Sequence, residues 1–225
     1  MNVLMLNYAA DPPLLRPFVP AGTELDLFEG RAYVSLVGFE FNRTRVFRIP
    51  APFHRSFEEV NLRFYVRRAA RRGVVFIREL VPRSAVAAIA RAAFGENYST
   101  VTMSHRVYAR PDGEIEVEYS WGSGPQRCSM QIKSGGQGIL PADGSLGQFI
   151  TEHYWGYSAR SGGRCLEYEV QHPRWLVREG KSAEFSGDPA SFYGIEFAKV
   201  LKRPPDSAFL AEGSPVTVFK GTEIN

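Results

Sequence analysis

The sequence predicts a mainly β protein: a closed or nearly closed antiparallel β-barrel with two flanking helices, built as a single domain over 1–225. Three observations predict it. Aromatic residues make up 13% of the chain, and these side chains suit a pleated, half-buried surface. Short apolar runs recur along the chain, separated by turn residues at hairpin spacing. A hydrophobic fraction of 44% over 225 residues supplies a full core, and no linker, repeat or low-complexity tract marks a boundary.

Taken in order, "MNVLMLNYAADPPLL" lacks a basic start and is broken by Asp11-Pro12-Pro13. It reads as neither a signal peptide nor a membrane span, so the expectation is a cytoplasmic protein with no membrane partner. "LLRPFVPAGTELDLFEG" is punctuated by Pro and Gly and should wrap the surface. Strands are expected at 31–41, 59–66, 74–81, 100–110, 114–121, 127–133 and 166–171, with a weaker tail such as 216–219. "RPDGE" joins two of these runs as a hairpin, because Asp-Gly tolerates positive φ. The two helices are "PRSAVAAIARAAFG", with Val86, Ile89 and Ala93 on one face, and "DGSLGQFITEHYWGY", with Leu146, Phe149, Ile150 and His153 on one stripe and Ser145 as cap.

The net charge is +3, carried mostly by arginine; the lysines are Lys133, Lys181, Lys199, Lys202 and Lys220. From Arg63 to Arg83 there are seven arginines and one acid, Glu79. Such a run suits nucleic acid or anionic substrates. "RRAARRG", however, separates two strand-like runs and ends in Gly, which reads as a solvated hairpin turn, so nucleic acid is disfavoured. Cys128 and Cys165 stand far apart without metal spacing and read as reduced thiols. The histidines lack HxH or HExxH spacing, and no phosphate loop, dinucleotide fingerprint or GxSxG elbow is present. No metal and no cofactor is expected. His54, in "PFHRSF", lies in a loop that can reach a pocket mouth.

Strand alternation sorts inward charges from outward ones. In "EIEVEYSW", Glu114, Glu116 and Glu118 form a solvent face opposite Ile115, Val117 and Tyr119. In "EVNLRFYV", Glu59, Asn61, Arg63 and Tyr65 share a face, which is either solvent or a polar lumen. "VVFIRELV" is apolar on both faces except for one charge each. Simple alternation puts Arg78 with Val74, Phe76 and Leu80, and Glu79 with Val75, Ile77 and Val81. At least one of the two charges must then be buried, which requires an ion pair or a ligand. An internal pair with Glu59 or Arg63 and a carboxylate-binding or acid–base role both remain open. His105 aligns with Val101, Met103, Val107 and Ala109, and reads as a core histidine before a catalyst.

Five stretches, "LLRPFVPAGTELDLFEGRAYVSLVGFEF", "PFHRSFEEVNLRFYVR", "GVVFIRELVPR", "ITEHYWGY" and "SPVTVFKG", together resemble the YqjF-like family of uncharacterised bacterial proteins, a domain of unknown function. The resemblance runs over nearly the whole chain. It implies a fold similar to acetoacetate decarboxylase, a closed β-barrel around a ligand cavity. That enzyme forms a Schiff base through a lysine of lowered pKa, which follows an Arg-Glu pair and a proline. The comparable segment here is Arg78-Glu79-Leu80-Val81-Pro82-Arg83, and arginine stays protonated. Lys133 alternates away from Cys128, Met130 and Ile132, toward solvent. The resemblance therefore disfavours Schiff-base decarboxylation, and it places Glu59 and Asn61 loosely on a cavity-lining strand.

The expected function is binding of a small anionic or keto-acid-like molecule. Arg78, Arg63 and Asn61 would be ligand-binding residues, with the arginines holding a carboxylate by paired hydrogen bonds. Glu59 or Glu79 would be the acid/base if chemistry occurs, with His105 as a further catalytic candidate. Whether the protein is an enzyme or a non-catalytic binding module is left open, as is a homo-oligomer.

Overall fold

The structure is a computed structural model, and it describes residues 2–42, 45–46, 49–50, 56–88 and 95–224. The strands are β1 (Val3–Ala10), β2 (Glu24–Leu25), β3 (Ala32–Asn42), β4 (Arg45–Val46), β5 (Ile49–Pro50), β6 (Ser56–Arg68), β7 (Arg71–Val81), β8 (Tyr98–Thr100) and β9 (Met103–Ala109). They continue as β10 (Ile115–Trp121), β11 (Cys128–Ser134), β12 (Trp155–Ala159), β13 (Cys165–Gln171), β14 (Val177–Ser186), β15 (Ser207–Ala211), β16 (Thr217–Val218) and β17 (Thr222–Ile224). The helices are short: α1 (Pro12–Leu15), α2 (84–88), α3 (Leu146–Thr151), α4 (Ala190–Tyr193) and α5 (Ile195–Leu201).

One large sheet runs β16-β13-β12-β7-β6-β3-β1-β15-β14-β11-β10-β9. Among the described residues its two ends do not pair, and the β12–β7 and β7–β8 pairings are parallel. The mainly β character is as expected, but of the expected closed or nearly closed antiparallel barrel the closure is not seen and two pairings are parallel. The sheet is open and mainly antiparallel, and it buries its faces by folding over itself. The β9–β10–β11 arm crosses β3 and β6: His105 on β9 lies 3.0 Å from a carboxylate oxygen of Glu58 on β6. Gly38 on β3 makes the close approach possible, because a Cβ there would stand 2.2 Å from Met130 Cε and 2.8 Å from the Tyr119 ring. Gly38→Val is therefore expected to cost about 1–3 kcal/mol, read as a lower urea midpoint.

β1 is buried on both faces, which is why "VLMLNYAA" shows no clean alternation and escapes a period-2 reading. Leu36, Leu62, Phe64, Trp121, Met130 and Phe197 belong to a core between the sheet, its folded arm and α5. Met5, Val37, Tyr65, Phe149 and Ile150 belong to a second core on the other face, under α3. Ser145 caps α3 as expected, accepting from the Gln148 amide at 3.2 Å. The helix stops at Thr151, so His153 lies just beyond it.

The expected 100–110 strand is β9, which starts at Met103 and pairs with β10; Thr100 instead ends β8, which pairs with β7. More than two helices flank the sheet. α4 and α5 were not anticipated, because Gly194, at φ 82°, breaks an already short apolar run in two. Positions 89–94 of the expected first helix, and His54, lie outside the described residues.

The β6–β7 hairpin turns at Ala69-Ala70 and carries a β-bulge. Arg63 pairs with Phe76 and Leu62 with Arg78, so Ile77 is the extra residue. The bulge corrects the expected alternation across "VVFIRELV". Val75 and Ile77 share the Leu62 side with Arg78 and Leu80, whereas Val74 and Phe76 share the Arg63 side with Glu79.

Candidate functional site

The face of β6 that carries Glu59, Asn61, Arg63 and Tyr65 is turned inward: Glu59 and Asn61 are each 2% exposed and Tyr65 is 1% exposed. Glu79 sits directly across from Asn61, also at 2% exposure, because the bulge turns it to that side. Glu96, in the segment leading into β8, is buried as well. The cluster is thus assembled by β6, β7 and the connection that crosses their ends.

Hydrogen bonds tie the carboxyls to neutral donors. Asn61 donates its amide to Glu59 Oε1 at 2.9 Å, and the Tyr98 hydroxyl donates to Glu59 Oε2 at 3.1 Å. The Tyr168 hydroxyl donates to Glu96 Oε1 at 2.8 Å. Three polar atoms here have no hydrogen-bond partner among the described residues: Asn61 Oδ1, Glu79 Oε2 and Arg63 Nε. Half-buried Arg63 donates only to the Ile150 carbonyl, at 3.3 Å, and makes no ion pair among the described residues.

Burial sets the proton affinities. It pushes the Glu59 carboxyl up to about 7, against the pull of the Asn61 and Tyr98 hydrogen bonds and of Arg63. It pushes Glu96 up to about 8, opposed by Tyr168 and Arg160 and reinforced by Glu59. Glu79 stands well above the carboxylate range, first through burial and then through repulsion from Glu96 and Glu59. The tyrosines Tyr98 and Tyr168 are likewise raised, chiefly by burial. Around neutral pH the cluster therefore holds protons that exposed carboxyls would have lost.

Two of the expected site residues lie elsewhere. Arg78 is on the opposite side of β7, where it donates to Asn97 Oδ1 at 2.9 Å and Ser99 Oγ at 3.0 Å. It pairs with neither Glu59 nor Glu79. His105 lies on the core-facing side of β9, across from buried Tyr119 and in line with Val101 and Met103, which pack on the core, while Val107 and Ala109 further along this edge strand are exposed. Its ring stacks on Tyr119 at 5.6 Å and bonds Glu58, whose side chain points away from the Glu59 face. Arg83 is exposed and borders a cleft of about 720 Å³ with Glu58, Thr100, Met103 and Phe192, apart from the carboxyl cluster.

The lysines stand outside the cluster as well. Lys133, Lys181, Lys199 and Lys202 reach the carboxylates Glu116, Glu114, Glu196 and Asp188, and Lys220 is exposed. Sequence reasoning missed Glu96, Tyr98 and Tyr168. Glu96 follows Gly95 at a helix stop and reads as surface loop. Tyr168 lies in "LEYEV", where flanking acids suggest solvent.

The basic run is consumed locally. Arg67 pairs with Glu24 at 2.9 Å, Arg72 with Asp26 at 2.6 Å and Arg71 with Glu167 at 2.5 Å. The Arg71 guanidinium also lies over the Trp155 ring and that of Arg72 over Phe149. Beside them His153 is buried against Tyr65, and burial lowers its pKa to about 4, so it is neutral at physiological pH.

Known structures share this architecture. The enduracididine biosynthesis enzyme MppR complexed with pyruvate is similar over 99% of this chain and 87% of its own, with a TM-score of 0.69 and 13% identity. An acetoacetate decarboxylase-like enzyme from Sphingomonas wittichii RW1 is similar over 98% and 91%, with a TM-score of 0.65 and 12% identity. Acetoacetate decarboxylase from Legionella pneumophila is similar over 100% and 84%, with a TM-score of 0.63 and 12% identity. At such identities the likeness is one of fold. In sequence, the uncharacterized protein YqjF of Bacillus subtilis (strain 168) is 36% identical over 76 residues. That match spans about a third of each chain: 33% of this one and 31% of YqjF. The family model described as "Uncharacterized conserved protein (COG2071)" matches residues 1–215, so the chain belongs to this family, DUF2071.

Proposed function

We propose that the Glu59–Asn61–Arg63–Glu79 face binds a small carboxylate of the 2-keto acid class and moves a proton on it without a covalent intermediate. The observation that carries this reading is the burial of Glu59, Asn61 and Glu79 on one face with half-buried Arg63, which makes no ion pair among the described residues. Arg63 would hold the ligand carboxylate. Glu59, poised at about 7, would take a proton from the carbon beside the keto group. Protonated Glu79 or the Tyr98 hydroxyl would donate to the enolate oxygen as its charge develops. No lysine is placed to form a Schiff base. Pyruvate bound to the structurally similar MppR makes it the first ligand to try. His105 and Arg78, on the other side of the hairpin, have no part in this reading.

The test is proton exchange into pyruvate in D₂O, followed by NMR, alongside thermal shift with pyruvate. Both are expected in the wild type. Arg63→Ala is expected to abolish the shift, and Glu59→Gln to slow exchange by about 100-fold or more while leaving a shift. A thermal shift without exchange would favour the non-catalytic binding module. Absence of both would remove the site. Borohydride with pyruvate is expected to leave no adduct, and an adduct would overturn the non-covalent step.

A further inference from the structure

The carboxyl cluster is richer in acid than a carboxylate ligand alone would require. Of its three glutamates, Glu59 has Arg63 and Glu96 has Arg160 as nearby cations, but Glu79 has only acids and Tyr98 around it. Opposite Glu79, Asn61 is 2% exposed and turns an unpartnered carbonyl oxygen, Oδ1, onto the same face. Glu79 Oε2 is unpartnered too. Once Glu79 gives up its proton, its Oε2 and Asn61 Oδ1 are both acceptors on one face, with the Tyr98 hydroxyl also bonded to Glu79, and they suit a group rich in N–H donors.

We infer that the ligand of this face carries a protonated amine as well as its carboxylate, with the ammonium held between Asn61 Oδ1 and Glu79. The inference rests on the carboxylate reading above and deepens it. The spacing fits one molecule. Arg63 and Asn61 are two residues apart on the same face of β6, about 7 Å along the strand. A short chain of methylene groups spans that distance, so an ω-amino acid of four or five carbons reaches both ends. Ammonium binding would drive the proton from Glu79 to solvent, giving a carboxylate–ammonium pair. The groups facing that pair are Glu59, Glu96, Tyr98 and Tyr168, with Arg63 and Arg160 beyond them.

The probes are 4-aminobutanoate, butanoate and butylamine, titrated calorimetrically into the protein at neutral pH in two buffers of different ionisation enthalpy. The expected result is that 4-aminobutanoate binds about tenfold or more tightly than butanoate, the gain of a charge-assisted hydrogen-bonded pair. It should also release protons to the buffer, whereas butanoate should not. In Glu79→Gln, confirmed folded by circular dichroism, the ratio of the two affinities is expected to fall to about twofold or less. Equal binding of butanoate and 4-aminobutanoate by the wild type would overturn the inference and leave the carboxylate reading standing. Butylamine binding as tightly as 4-aminobutanoate would keep the ammonium site and remove the role given to Arg63. Binding of none of the three would overturn the inference together with the reading beneath it.

Discussion

Raising the pH from about 7 to about 8 is expected to destabilise the folded chain by about 3 kcal/mol. The cause is the glutamate cluster. Burial raises Glu59 to about 7 and Glu96 to about 8, and holds Glu79 well above its ordinary range. In the unfolded chain all three titrate near the ordinary carboxylate value, about 4.3. The folded state therefore binds more protons than the unfolded state above that value. Stability is fully present below the unfolded pKa and is lost as pH climbs through the folded ones. At neutral pH roughly two protons separate the states, and each contributes about 1.4 kcal/mol per pH unit. His153, lowered to about 4, acts in the opposite sense at acid pH and leaves this window alone. Urea midpoints across the interval measure the slope. Glu79→Gln and Glu96→Gln should each flatten it, since Gln keeps the volume and removes the charge. A flat profile in the wild type would mean that water or a counter-charge reaches the cluster.

The second large effect is expected from Gly156→Ala, at a cost of about 3 kcal/mol. Gly156 faces Tyr168 across the β12–β13 ladder, and the tyrosine ring lies over it. A Cβ at 156 would stand 2.1 Å from Tyr168 Cζ and 2.4 Å from its hydroxyl oxygen. That ring is 6% exposed. Displacing it also breaks the hydrogen bond to Glu96 and leaves a buried carboxyl with less support. Tyr168→Phe separates the two contributions: it keeps the ring, loses the hydroxyl and should cost about 1–2 kcal/mol. If the clash is the cause, adding Gly156→Ala in a Tyr168→Ala background should cost under about 1 kcal/mol more, a coupling that a double-mutant cycle reads directly.

Much of the strand content is legible in the chain because each run answers to its immediate surroundings. Alternation in "EIEVEYSW" places Val117 and Tyr119 inside, as the structure has them. "RRAARRG" reads as a turn, and Ser145 reads as a cap. β1 and β15 are less legible, since strands covered on both faces lose the period-2 signal. α4 and α5 are hidden by the glycine between them, which splits one amphipathic stretch into pieces too short for a helical period to show.

For the site, composition and parity establish that Arg78 and Glu79 cannot both face water, and that Glu59, Asn61 and Arg63 share one side. Which side is buried depends on what packs there. α3 and the segment leading into β8 cover it, and neither adjoins β6 in sequence. The bulge at Ile77 is also a tertiary outcome. One extra residue in the ladder sends Glu79 to Asn61 and Arg78 to Asn97 and Ser99, reversing the neighbours that unbroken alternation assigns. Glu96, Tyr98 and Tyr168 join the cluster from distant parts of the chain, so no local pattern could mark them. The residue types needed for acid–base chemistry, and the absence of a well-placed lysine, are written in the one-dimensional order. Their proton affinities are not, because a carboxyl moves from its ordinary range only when folding removes its water and brings other carboxyls beside it.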